Sequence, residues 1–323
     1  MLSKVASKRI YQLDSIKGIF IFLVVLGHLI GGGYSANSPL GLTHYFIYSI
    51  HMPMFILISG ILSKKETNFK NIIGSYVIPY IIFDFAYVIF GSLIGQPVSW
   101  NVLVPSYVYW YILCIAIMKL MFSKGRAEIA LIVSIVVSIF ITLYIPESAW
   151  RWMSVGRVML LFPVFWIGTL MREDFLSDIN NHKRIYIALG IIAVVILYFL
   201  LVLGISPIDW ATHDYCETII QLAIKYVYMM LTAAIFVCLF CIAPESAVLQ
   251  TWGRNSVIIY LLHPFVVPFV RYAVYKVVTS EIAVLIIMTI SALILTWVLS
   301  LGFLKRAYDL LIDRIKRALK LEV

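Results

Sequence analysis

Charge is what this chain has least of. Only 13% of its 323 residues are Asp, Glu, Lys or Arg, 63% are hydrophobic, and the mean hydropathy is +0.99. A soluble globular domain carries about a quarter charged residues, so that class is excluded. No polar stretch is long enough to fold as a separate soluble domain. Strict alternation of apolar and polar residues is also missing, which favours membrane helices over a membrane β-barrel. Cysteine is sparse: Cys114, Cys238 and Cys241 fall in apolar segments and Cys216 in a polar loop, a pattern without a disulfide framework. On one apolar segment, Cys238 and Cys241 form a CxxC, for which packing competes with a redox or metal role. The first apolar run passes through Gly27 and His28 into "GGGYS" without a small-residue cleavage site, so it is expected to be retained as a helix. No transporter-like internal repeat is visible.

What the chain does have is apolar runs of bilayer-spanning length from end to end. The expected fold is an all-α polytopic bundle of about ten spans. They fall at 16–33, 45–62, 72–94, 106–122, 128–145, 155–171, 185–204, 219–242, 255–274 and 282–304. Basic residues collect in alternate breaks: Lys4, Lys8 and Arg9; Lys64, Lys65 and Lys70; Lys124 and Arg126; Arg172, Lys183 and Arg184; and a cluster from Lys305 to Lys320. Cytoplasmic loops retain positive charge, so both termini are expected in the cytoplasm. The opposite breaks hold little, and "GISPIDWATHDYCET" is acidic. The net charge of +9 then meets anionic lipid headgroups and calls for no nucleic acid. Residues 305–323 alternate basic and apolar positions at helical spacing, which predicts an amphipathic tail on the inner membrane surface.

A charge inside hydrocarbon costs at least a few kcal/mol unless it is paired or faces a polar cavity. The spans contain Lys17, His28, His51, Asp84, Lys119, Arg157, Lys225 and His263. Lys119 lies near the end of its span and can snorkel, whereas Asp84 and Lys225 need partners or a substrate. Lys17 and His28 are 11 positions apart, so they share one helix face (offset ~20°) about 16 Å apart along the axis. Asp14 is spaced to pair with Lys17 at i, i+3. His51 lies as deep on the second span as His28 on the first. Both can face one polar cavity, where neutral imidazole is a competent base; hydrogen-bonded helix contacts are the alternative.

"DSIKGIFIFLVVLGH" resembles the first-span signature of the acyltransferase 3 family of membrane O-acyltransferases, with Lys17 where many members have Arg. "HMPMFILISG", "YWYILCI", "GRVMLLFPVFWIG" and "WGRNSVIIYLLH" resemble further family segments in the same order, and together they are most similar to the fucose 4-O-acetylase-like branch. The resemblance implies a transmembrane domain over 1–304, without an appended esterase-like domain. Its implied activity is transfer of an acyl group, usually acetyl, from cytoplasmic acyl-CoA to a sugar hydroxyl of a surface glycan or its lipid-linked precursor. This would occur in a bacterial cytoplasmic membrane, with no metal and no permanently bound cofactor. In that setting His28 is the base or an acyl-accepting nucleophile, with His51 as partner or proton relay. Lys17 holds CoA phosphates or the thioester end, and Arg254, Asn255 and Ser256 form a phosphate site. Arg157 binds an anionic acceptor or the oxyanion, or else snorkels. Trp110 and Tyr111 stack on a sugar or belong to the interfacial aromatic belt. Asp84 is a further candidate for substrate contact, and His263 either meets substrate or makes a structural hydrogen bond. Acyl-CoA is cytosolic while the histidines lie in the outer half, so the pantetheine arm reaches in or the acyl group is relayed. A transporter or flippase for a glycan intermediate is the competing class, and its mark would be paired broken helices in two equivalent halves.

Overall fold

The computed structural model describes residues 10–35, 37–63, 68–98, 100–122, 127–146, 150, 152–171, 179–205, 216 and 218–321. Lys4, Lys8, Arg9, Lys64, Lys65, Lys124, Arg126, Arg172, His213 and most of the acidic segment lie outside them. Long apolar stretches satisfy their backbone internally, and helices are the element found throughout the described residues. Helix α1 (Tyr11–Ile30) ends at Gly31, whose φ is +71°. Helix α2 (Pro39–Ile61) starts with proline in its first turn, and the Gly41 N–H donates to Ser38 Oγ at 3.1 Å. Next comes α3 (Phe69–Leu93), which contains a π-helical turn at Ile73–Val77. Beyond it lie α4 (Trp110–Met121), α5 (Ala127–Tyr144), α6 (Val155–Leu170), α7 (Lys183–Val202) and α8 (Ile219–Ile242). The chain continues through α9 (Ala247–Arg254), α10 (Ser256–Leu262), α11 (Val267–Val277), α12 (Glu281–Leu299) and α13 (Gly302–Ala318).

Seven helices among the described residues are long and apolar enough to cross a membrane, or eight if α10 and α11 count as one broken span. The expected segments 106–122 and 128–145 are the shorter apolar helices α4 and α5. Segment 255–274 is not one straight helix. It bends by 54° between Ser256–Phe265 and Val267–Val277, directly after a 3-10 turn at His263–Phe265 in which Pro264 lacks the N–H for the helical ladder. No second bent pair occupies an equivalent half among the described residues.

Helix α1 is the hub, packed against α2, α9, α10, α11 and α12; α2 also packs on α6 and α8. The α2–α6 crossing is close because two glycines meet there. A methyl group on Gly60 would sit 2.1 Å from the Phe165 carbonyl oxygen, and one on Gly168 2.2 Å from that of Leu57. In contrast, only 22% of the most apolar window of α7 is buried inside the protein, with a mean hydropathy of 3.0, so lipid is the remaining partner for this helix. Cross-chain bonds define two ends of the bundle. At one, Ser15 Oγ donates to the Pro244 carbonyl at 2.8 Å and Asn255 Nδ2 to that of Ser300 at 2.7 Å. At the other, the Tyr275 hydroxyl donates to the Ile30 carbonyl at 2.7 Å. The basic tail is helical as α13 and touches α3: Lys316 packs on Gly74, and the rings of Tyr308 and Phe83 lie 6.3 Å apart.

Candidate active site

A cavity of about 250 Å³ lies at the His28 end of the bundle. Its walls carry His28 from α1; His44, Tyr48 and His51 from α2; Tyr107 and Trp110 at the start of α4; and Arg157, Tyr260 and Arg271 from α6, α10 and α11. His44, Tyr48 and His51 follow at i, i+4 and i+7 and so share one face of α2. His28 and His51 do line one cavity, but Tyr48 stands between them, its ring 5.8 Å from His28 and 4.9 Å from His51. His28 Nδ1 faces two phenols, Tyr107 Oη at 3.0 Å and Tyr48 Oη at 3.2 Å.

Hydrogen bonding fixes the tautomers of two other histidines. His51 Nδ1–H donates to the Ile47 carbonyl at 2.7 Å, and His263 Nδ1–H to that of Ile259 at 3.1 Å. A carbonyl only accepts, so the proton sits on Nδ1 and the neutral ring keeps its lone pair on Nε2. His263 is fully buried behind the cavity wall, 5.2 Å ring to ring from His28. No group of His, Cys, Asp and Glu fit to hold a metal ion occurs among the described residues. Cys238 and Cys241 are buried free thiols, and Cys238 packs on Gly190.

Tyr107 has a left-handed backbone, φ +48°, unusual for a bulky residue. Neighbouring bonds hold it there. The Ser106 N–H donates to Asp84 Oδ1 at 2.6 Å, the Tyr80 hydroxyl to the Val102 carbonyl at 2.7 Å, and the Tyr260 hydroxyl to that of Val108. Asp84 therefore reaches neither cavity; its carboxylate is buried under this segment, and the expectation of substrate contact gives way to a structural role.

A second cavity, of about 180 Å³, lies toward the Lys17 end, with Lys17, Ser59, Ser75, Tyr76, Tyr111 and Ser256 among its walls. Lys17 Nζ pairs with Asp14 Oδ1 at 2.8 Å. Of the expected phosphate triad only Ser256 lines this space. Asn255 Nδ2 is committed to Ser300, and Arg254 is exposed with Nε bonded to its own helix. Trp110 and Tyr111 part company as well. The Arg157 guanidinium lies 4.4 Å from the ring centroid of Trp110 in the first cavity, while the Tyr111 hydroxyl lies 3.3 Å from Ser59 Oγ in the second. Tyr260 is common to both cavities.

The sequence reading missed His44, Tyr48, Tyr107, Tyr260 and Arg271. Arg271 was legible as a charge inside segment 255–274, and His44 by its spacing to His51. The tyrosines carry no local signal among 20 of their kind.

Fold and site together define a polytopic membrane protein with a histidine- and arginine-lined cavity inside its helical bundle. Residues 10–301 match the profile of the acyltransferase domain family, acyltransferase 3, and the chain belongs to that family. It is also similar to nodulation protein NolL of Sinorhizobium fredii (strain NBRC 101917 / NGR234), 39% identical over 83 residues. That match covers 24% of this chain and 23% of the relative, less than a quarter of its length. No solved structure matches significantly.

Proposed function

We propose that this membrane acyltransferase moves an acyl group, usually acetyl, from acyl-CoA to a sugar hydroxyl of a cell-surface glycan or its lipid-linked precursor, as in the fucose 4-O-acetylase-like branch. The membrane is the bacterial cytoplasmic membrane, with both termini inside. One observation carries the reading: side chains from four separate family-like segments, His28, His51, Trp110 and Arg157, line a single cavity. Acyl-CoA is read as entering from the Lys17 cavity, where the ammonium and Ser256 meet its polar end, and the acceptor as occupying the His28 cavity. The thioester then has to come past Tyr260, the side chain common to both.

In the tautomer that donates Nδ1–H to a tyrosine oxygen, His28 Nε2 carries the lone pair that takes the acceptor's hydroxyl proton. The oxygen attacks the thioester carbonyl, and cationic Arg157 stabilises the tetrahedral oxyanion. Collapse breaks the C–S bond, and the CoA thiolate recovers the proton. His51, reached through Tyr48, serves as a relay. The direct test is release of CoA thiol by purified protein in lipid supplied with acetyl-CoA and a glycan panel. His28→Ala should abolish turnover while fold and oligomer profile stay intact. Glycan flux across vesicles without any CoA release would instead support a transporter.

A further inference from the structure

Arg271 has no part in the chemistry above, yet it lines the same cavity. It sits on α11 just beyond the 54° bend, which turns that helix so that the guanidinium lies against the end of α1. A methyl group on Gly31 would stand 2.4 Å from Arg271 Nη2, so the guanidinium lies directly against this glycine, whose positive φ few other residues adopt. The charge of Arg271 acts on His28, His44, Tyr48 and Tyr107, while that of Arg157 acts on Tyr260. Among the described residues, no carboxylate lines the cavity and Arg271 forms no ion pair. Arg271 therefore brings to the cavity a positive charge with which an entering anion can pair.

We infer that Arg271 seats an anionic group, a phosphate or carboxylate, carried by the sugar acceptor whose hydroxyl is presented to His28. The inference rests on the acyl-transfer reading for its substrate class. Arg271 would be a substrate-binding residue, with the geometry of guanidinium suited to bidentate oxygens.

The test is direct binding to the full chain in lipid nanodiscs, with glucose, glucose 1-phosphate and glucuronic acid as probes. At least one charged sugar should bind about tenfold or more tighter than glucose. Arg271→Gln should erase that preference, and Arg271→Lys should keep part of it, with the unliganded melting temperature unchanged in both. Equal binding of all three sugars by the wild type, or binding of none, overturns the inference, as does a preference surviving in Arg271→Gln. In a parallel arm, loss in Arg271→Gln of a wild-type preference for succinyl-CoA over acetyl-CoA would put the anion on the acyl chain and overturn the acceptor assignment. Charged-sugar binding without CoA release would sink the acyl-transfer reading and leave the anion seat standing.

Discussion

Replacing Tyr107 by Phe removes one hydroxyl 3.0 Å from His28 Nδ1 and leaves the packing of the ring. A neutral hydrogen bond contributes about 1 kcal/mol, so the single variant should slow turnover roughly fivefold. Tyr48→Phe, which removes the second hydroxyl at 3.2 Å, should act similarly. Because the two phenols share one nitrogen, either can substitute for the other, and the double variant should lose more than the product of the single effects. Strict additivity in kcat would show that they do not jointly orient the imidazole. Asp84 belongs to the same assembly at one remove. Asp84→Asn keeps an oxygen for the Ser106 N–H and should fold, whereas Asp84→Leu leaves that buried donor unpaired and should cost about 1–3 kcal/mol in thermal unfolding. No activity loss beyond that explained by unfolding would separate Asp84 from the placement of Tyr107.

Helix crossings bring the cavity walls together. The meeting of Gly60 and Gly168 holds α2 and α6 close, and these helices carry His44, Tyr48 and His51 on one side and Arg157 on the other. Gly168→Leu pushes a side chain into the α2 backbone, and overpacking of this kind costs about 1–3 kcal/mol or more. The expected outcome is a lower unfolding midpoint in lipid together with lost turnover. A variant of wild-type stability would show that the crossing yields freely. The break between α10 and α11 has a different role. It follows closely on His263, which lies behind His28, and beyond it α11 carries Arg271 against Gly31.

Across the whole molecule, the two cavities lie toward opposite ends of the bundle, and the basic tail α13 packs near the Lys17 end through Lys316 on Gly74. The charge pattern of the loops predicts that this end faces the cytoplasm. Arg254→Cys and Gly32→Cys test this, since both positions are exposed and the native cysteines are buried. A membrane-impermeant maleimide should label Arg254→Cys from the cytoplasmic face of sealed vesicles and Gly32→Cys from the opposite face. Labelling of both from one face would overthrow the two-sided arrangement of donor and acceptor.

By itself the sequence determined that the chain is a helical membrane protein, and the spacing of Asp14, Lys17 and His28 along one helix already implied the ion pair and the shared face. Helical period and hydropathy are local properties, and a buried charge is conspicuous wherever the surroundings are apolar. Only the tertiary structure decided which side chains converge. Tyr48 separates His28 from His51, Trp110 and Tyr111 open onto different cavities, Asn255 is spent on Ser300, and Asp84 serves a loop. Each outcome depends on contacts between residues distant in the chain, set by helix crossings, a bend just past Pro264 and one left-handed tyrosine, for which hydropathy holds no signal.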